Sequence, residues 1–368
     1  MSNIKFKKPL AGTFLCLTDD KIERGLDKVD CLVEAPKGHR VLVNGTVCEE
    51  TEEGYRVSLP LTGVKMDLTA LDETTGESAC SWVYRIHIPQ KVYRVSVDDN
   101  IWWLQDLAKN QDRYVSIFEN PYLAMYRKLH EAHGTKFHFN IYYTCPEHGG
   151  FSLPELSDKF RDEFLAVNDW MTLSFHAKAN EPCWPYSTAS YEQVYTECKQ
   201  VMDEIERFAG YRGAVTTLHF ADCTPDGARA LYDCGVRALL GDFEVMKEGG
   251  RRLGYYLNDD EEKFFNVRCH SFWKEPETNM IYFPCDSVIN TFTPEEIPGE
   301  QDLYEARYPD RAFLDLLIHE QYFYEDYENY LPDYEERIRA GILWCEKHGY
   351  VPGLVKDIID FNAPEFRE

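Results

Sequence analysis

Two adjacent carboxylates, Asp98 and Asp99, stand at the end of Val92-Tyr-Arg-Val-Ser-Val, a short β-branched run bounded by polar residues. Like charges side by side repel, and each raises the other's pKa unless a cation or a hydrogen-bond donor relieves them. Imidazoles close later apolar runs: His176 after Met171-Thr-Leu-Ser-Phe, His219 after Ala214-Val-Thr-Thr-Leu, and His319 after Ala312-Phe-Leu-Asp-Leu-Leu-Ile. Asn180 lies four residues past His176, Asp242 ends Val236-Arg-Ala-Leu-Leu-Gly, and Glu320 follows His319. Carboxylate and imidazole together suit a divalent transition metal, which would also quench the Asp98–Asp99 repulsion. Taken singly, each residue has a plainer use. An Asp-Asp-Asn sequence caps turns, and a lone histidine is often satisfied in a core. Recurrence at the ends of successive strands is what points to one shared site.

The elements that would position these residues alternate strand with helix from Lys91 onward. Asn120-Pro121 opens a helix running to His133 and stopped by Gly134. Lys136-Phe-His-Phe-Asn-Ile-Tyr-Tyr reads as a second strand, Leu153 to Val167 as an amphipathic helix, and Ala189 to Phe208 as a long helix with apolar residues at helical spacing. Thr224-Pro225 opens another helix, and Tyr334 to His348 is a last long one before a short strand near Tyr350 to Val355. Between them, residues 243–311 read as a partly β insertion, with Arg252-Leu-Gly-Tyr-Tyr-Leu and Met280-Ile-Tyr-Phe as its β stretches. Repeated βα units predict a parallel-stranded barrel, whose strand ends converge on one face.

Before Pro89 the pattern is all β. Val41-Leu-Val, Asn44-Gly45 and Thr46-Val-Cys form a hairpin signal, and several short alternating strands follow. Residues 1–90 are therefore expected to form a small β-sandwich and residues 91–368 the barrel. The sandwich resembles the immunoglobulin-like modules that bacteria attach to carbohydrate-active proteins.

Composition narrows the partners. The chain of 368 residues carries a formal net charge of −25, which disfavours nucleic acid and anionic membrane surfaces. No apolar run reaches membrane-spanning length. The 12 cysteines are scattered without a Cys-x-x-Cys pair. Reduced thiols, a cytoplasmic location and no structural zinc held by cysteine are the expectation.

Ser96-Val-Asp-Asp99 is similar to the Thr-Phe-Asp-Asp motif of the polysaccharide deacetylase (NodB homology) family, and Leu317-Ile-His319 resembles its late Leu-x-His motif. His176 and Asn180 keep the spacing of its His-x-x-x-His motif, with the second histidine replaced. The resemblance covers roughly Val92 to Val355. It implies a distorted (β/α)7 barrel in the wider superfamily of deacetylase and glycoside hydrolase barrels, and metal-dependent removal of an acetyl group from an N- or O-acetylated sugar. Carried over by position, Asp98 is the general base and His319 the general acid. Asp99 and His176 are ligands of a divalent metal, with zinc the expected ion. Asn180 is a weaker third ligand, so His219 is the other candidate. The family's Arg-x-Pro-Tyr segment falls near Thr217-Leu-His-Phe220, where no arginine stands, so no counterpart is evident for the residue that orients the base.

Trp102, Trp184, Tyr186 and Tyr322, with Asp242 and Glu320, are candidate sugar contacts; Trp103 and Trp273 are further aromatics near strand ends or in the insertion. Two other readings stay open. One is a metal-independent glycosidase using Asp99 with Asp242 or Glu320. The other is a glycan-binding protein on the same barrel without turnover. Whether the chain forms an oligomer is left open.

Overall fold

The computed structural model describes residues 3–243, 253–309 and 311–367. The fold is mixed α/β. Val92–Asn100 lies at the middle of a parallel sheet, between Phe137–Tyr142 on one side and Phe313–His319 on the other, and Met171–Ala177 continues it beyond Phe137–Tyr142. Every residue of Phe137–Tyr142 and Met171–Ala177 is buried, although both strands alternate apolar with polar residues. A second parallel run joins Val215–Thr216, Ala238–Gly241 and Ile281–Pro284.

The two runs are linked by a strand that changes partner. The Cys285 amide donates to the Gly241 carbonyl (2.7 Å) and the next amide, Asp286, donates to the Asp315 carbonyl (3.0 Å). Ser287–Val288 then pairs in parallel with Phe313–His319. Part of the stretch expected to be an insertion thus supplies a parallel strand. Of the two β stretches expected there, Met280-Ile-Tyr-Phe falls in this strand, whereas Tyr255–Asp259 forms a 3-10 helix. Pro284 falls at the change of partner. The remainder of that stretch holds the helices Glu261–Cys269 and Ile297–Arg307, while residues 244–252 and Asp310 lie outside the described residues. The strand expected near Tyr350 to Val355 is only Val351–Pro352, paired with Val92 and Tyr93.

Helices cover the sheet as their caps predict. Asn120 accepts a hydrogen bond from the Leu123 amide, Pro121 begins the helix Pro121–His133, and Gly134 ends it with φ +67°. Tyr191–Ala209 buries Val194, Cys198, Val201, Met202 and Ile205 along one stripe. Leu153 to Val167 is less regular than its pattern suggests, and the helix proper starts at Arg161.

In the N-terminal part, Lys5–Lys8, Lys28–Glu34, Tyr55–Pro60 and Glu49–Glu50 form one sheet. Asn44 and Gly45 take φ +47° and +80° between Val41–Val43 and Thr46–Val47, the backbone a two-residue hairpin turn requires. That hairpin belongs to a second sheet with Lys65–Asp72, Ser78–His87 and Thr13–Leu17. Val29, Cys31, Val33, Val41, Leu68 and Val83 pack together between the two sheets. The second sheet continues through Thr13 and Trp273 to Ile281–Pro284. Phe14 and Tyr84 share a core with Phe272, Phe283 and Phe313. Apolar packing therefore runs across the boundary near residue 90.

Candidate metal centre

Successive residues of a regular strand point to opposite faces, so Asp98 and Asp99 should not serve one site. Two local irregularities change this. The pairing of Val92–Asn100 with Phe137–Tyr142 shifts register between Val97 and Asn100, and Asp99 takes φ +65°. Left-handed backbone is unfavourable for a residue with a Cβ, though aspartate tolerates it better than most. A second shift, between Ile141 and Tyr142, leaves His176 opposite no partner residue. Bulges of this kind re-aim side chains, and they cluster near functional sites.

The re-aimed groups converge. Asp99 Oδ1 lies 3.0 Å from His176 Nε2 and 3.3 Å from His219 Nδ1, and the two ring nitrogens are 3.3 Å apart. A tetrahedral ion at about 2.0–2.1 Å from its ligands spaces them about 3.3 Å from one another. The far side of each ring is tied down. His176 Nδ1 lies 2.5 Å from the Thr217 carbonyl, and His219 Nε2 lies 3.0 Å from the Asn180 carbonyl. Carbonyls only accept, so these nitrogens carry the protons, and in the neutral rings the lone pairs face Asp99.

Burial opposes an ionised Asp99, but hydrogen bonds from the His176 and His219 rings and the charge of His319 outweigh it and hold the carboxyl well below its usual range. Such bonds need a second proton on each ring. Burial meanwhile drives His176 toward its neutral form, and neutral rings turn lone pairs on a carboxylate. Protons or a cation must sit among these three atoms, and the donor set fits a divalent transition ion. Asn180 stands beside the set rather than replacing His219: its carbonyl holds that ring, and its Oδ1 is 3.2 Å from the Tyr142 hydroxyl.

Asp98 is buried, and burial followed by the charge of Asp99 keeps its carboxyl well above the usual range. Asn140 Nδ2 donates to its Oδ1 at 2.6 Å. The amide is itself fixed, because Asn140 Oδ1 accepts from Ser174 Oγ (2.8 Å), Thr216 Oγ1 (3.1 Å) and the Thr217 amide (3.3 Å). Asn140 thus fixes the Asp98 carboxyl, a contact for which sequence reading offered no residue. Its signal was one of two polar side chains, with His138, inside the run Phe137-His-Phe-Asn-Ile-Tyr. His138 belongs to the same buried network, with Nε2 2.7 Å from Ser174 Oγ. Tyr142 was also missed. Its hydroxyl donates to Asp99 Oδ1 and lies 3.0 Å from His219 Nδ1. Burial and Asp99 keep its phenol well above the ordinary range.

His319 is the register partner of Asp98 on the neighbouring strand. Its Nδ1 lies 2.9 Å from Asn290 Oδ1, which leaves Nε2 available, and burial lowers its pKa.

The expected sugar contacts divide. Trp102 is half-buried and stacks on His148 with ring centres 4.0 Å apart, and Trp184 stacks on Phe220 at 4.4 Å, next to His219. Tyr322 is half-buried, its ring 6.0 Å from that of His319. Tyr186 has no exposed surface; its hydroxyl donates to Glu197 (2.9 Å) and accepts from the Lys178 amide (3.1 Å). It is a core residue, as are Trp103 and Trp273.

Glu320 is fully buried and caps the helix Trp102–Asn110. Its oxygens accept from the amides of Ile101 (2.5 Å), Trp102 (3.0 Å) and Trp103 (2.7 Å), and from Tyr324 Oη (2.8 Å). Neither Tyr186 nor Glu320 presents a surface to a sugar. Side chains past a strand end can turn inward as readily as outward, and spacing alone does not distinguish the two. Asp242 has its backbone tied to Leu253 and to Arg268, whose Nη1 donates to its carbonyl at 2.9 Å.

No protein-family model and no curated protein matches the chain. Among solved structures, it is similar to a CE4 family pseudoenzyme from Bacillus anthracis at 10% identity and a TM-score of 0.41, over 75% of this chain and 68% of that one. A family 4 acetyl xylan esterase from Clostridium thermocellum in complex with a cobalt ion is similar at 11% identity and a TM-score of 0.40, over 73% and 89%. A 4-alpha-glucanotransferase from Thermococcus litoralis gives 13% identity and a TM-score of 0.42, over 69% and 37%.

Proposed function

We propose that this chain is a metal-dependent hydrolase that removes an acetyl group from an N- or O-acetylated sugar. The observation that carries the reading is the meeting of Asp99, His176 and His219 at ligand spacing, with lone pairs inward, beside the buried carboxylate of Asp98. The parallel strands are read as a distorted (β/α)7 barrel, and the two N-terminal sheets as an immunoglobulin-like module. Twelve free cysteines and the acidic surface fit a cytoplasmic protein acting on small neutral substrates. Among the described residues no helix is long and apolar enough to cross a membrane.

Asp99, His176 and His219 would hold a divalent cation, zinc among the candidates. When bound, such an ion supplies Lewis-acid polarisation of the acyl oxygen and an acidified water. Asp98 takes the proton of the attacking water. Its second oxygen is free for that task because Asn140 engages only Oδ1. His319 protonates the departing amine or alkoxide through Nε2, with Asn290 fixing the ring. The flat faces near Trp102 and Trp184 suit the apolar faces of sugar rings.

The test is acetate release from N-acetylated and O-acetylated oligosaccharides by metal-loaded and chelated protein. Release that requires metal is the expected result. Glycosidic cleavage that persists in chelator would establish the glycosidase reading instead. Tight oligosaccharide binding with no acetate under any metal would establish the binding-protein reading.

A further inference from the structure

One more oxygen lies against the three donors. Tyr142 has no exposed surface, and the register shift beside it aims its hydroxyl into the centre. That hydroxyl bonds Asp99 Oδ1 and lies 3.0 Å from His219 Nδ1 and 3.2 Å from Asn180 Oδ1. Its ring centre is 5.1 Å from that of His176 and 5.4 Å from that of His219. A buried tyrosine hydroxyl needs a polar partner. This one faces two of the three ligand atoms.

We propose that Tyr142 Oη is a fourth protein donor to the cation, and that the centre is built for an ion taking five or six ligands. The proposal rests on the cation reading given above. Four protein donors complete a tetrahedron and leave a zinc ion of that geometry no position for water. Hydrolysis needs such a position. A set of two imidazoles, one carboxylate and one phenol oxygen keeps one open only around an ion of higher coordination number, such as manganese, iron, cobalt or nickel in the divalent state.

Cobalt(II) titration of the full chain tests this with two readouts independent of turnover. In the unaltered protein, cobalt should produce a tyrosine ultraviolet difference band that saturates at one equivalent, together with the weak visible absorption of a five- or six-coordinate ion. Tyr142→Phe should abolish the ultraviolet band, intensify the visible one as a ligand is lost, and weaken cobalt binding by about 10–100-fold. Absence of the tyrosine band in the unaltered protein would overturn the proposal even if the variant failed to fold. So would a variant matching the unaltered protein in affinity and spectrum. Asp99→Ala, titrated in parallel, separates the two levels. If it binds cobalt as tightly as the unaltered protein, the cation reading itself fails. If it loses cobalt while Tyr142→Phe does not, only the assignment of Tyr142 fails.

Discussion

Two clusters of buried carboxylates lie along one face of the strand Val92–Asn100, and they are neutralised in opposite ways. Near the start of the strand, Arg94 Nε donates to Asp315 Oδ2 at 2.5 Å with both side chains fully buried, and Ser96 Oγ donates to Asp315 Oδ1 at 2.7 Å. Asp286 pairs there with Arg311, so two aspartates meet two arginines. Four residues further on, about 13 Å along a strand, Asp98 and Asp99 meet an amide, a phenol and imidazoles. The lower cluster carries its cations in its own side chains. The upper one leaves two carboxylates without a permanent positive partner, and such an arrangement is costly unless something else supplies the charge. The difference separates a structural ion pair from a candidate site for an ion.

The sharpest way to break this contrast is to remove the receiving atoms. Asp99→Ala and His176→Ala should each reduce bound metal by more than about 100-fold, measured by elemental analysis after dialysis against a divalent ion. Unchanged occupancy in both variants would show that the upper cluster is only another buried network. Asp98→Asn probes the same cluster without touching a proposed ligand. It should keep the metal and lose about 10²–10⁴ in turnover, the range for a general base; full activity would place the base elsewhere.

The lower cluster should respond in stability instead. Arg94→Met strands Asp315 in the core and should cost about 3–5 kcal/mol in urea unfolding. Asp99→Asn, which keeps a side chain tolerant of φ +65°, should cost the metal-free protein clearly less than Arg94→Met does. If the two variants lost equal stability, the distinction between the clusters would collapse.

What could be read from the chain follows from where its signals are local. Asp98, Asp99, His176 and His219 stood out because each ends an apolar run. The helix Pro121–His133 was legible in its caps, Asn120, Pro121 and Gly134. Asn140 and Tyr142 were passed over because their contacts depend on a bulge and on neighbouring strands; a polar side chain inside Phe137–Tyr142 marks Asn140 without saying what it meets. Met280-Ile-Tyr-Phe was legible as β, but its place in the parallel run was not, because the change of partner at Pro284 leaves no local pattern. Tyr186 and Glu320 show the reverse error. Both follow strand ends, yet packing turned each into the interior.

Glu320 offers a third way of housing a buried carboxylate, and with it the smallest of these tests. It meets neither arginine nor imidazole; three backbone amides and Tyr324 receive it. Burial, only partly offset by those bonds, raises its pKa from an ordinary 4.5 to about 7. The folded protein therefore holds a proton that the unfolded chain has released, and between these values protonation favours folding. This contribution is fully present below about pH 4.5 and is lost as the pH climbs through 7. At about 1.4 kcal/mol per pH unit, the loss amounts to about 3 kcal/mol at most. Urea unfolding at pH 5 and pH 7.5 should show the unaltered protein weakening by more than Glu320→Gln does, since the amide cannot titrate. Equal pH dependence in the two would mean that the helix N-terminus holds Glu320 ionised at no cost. Backbone amides would then neutralise a buried carboxylate as fully as Arg94 does, and a missing cation would no longer mark the upper cluster as different.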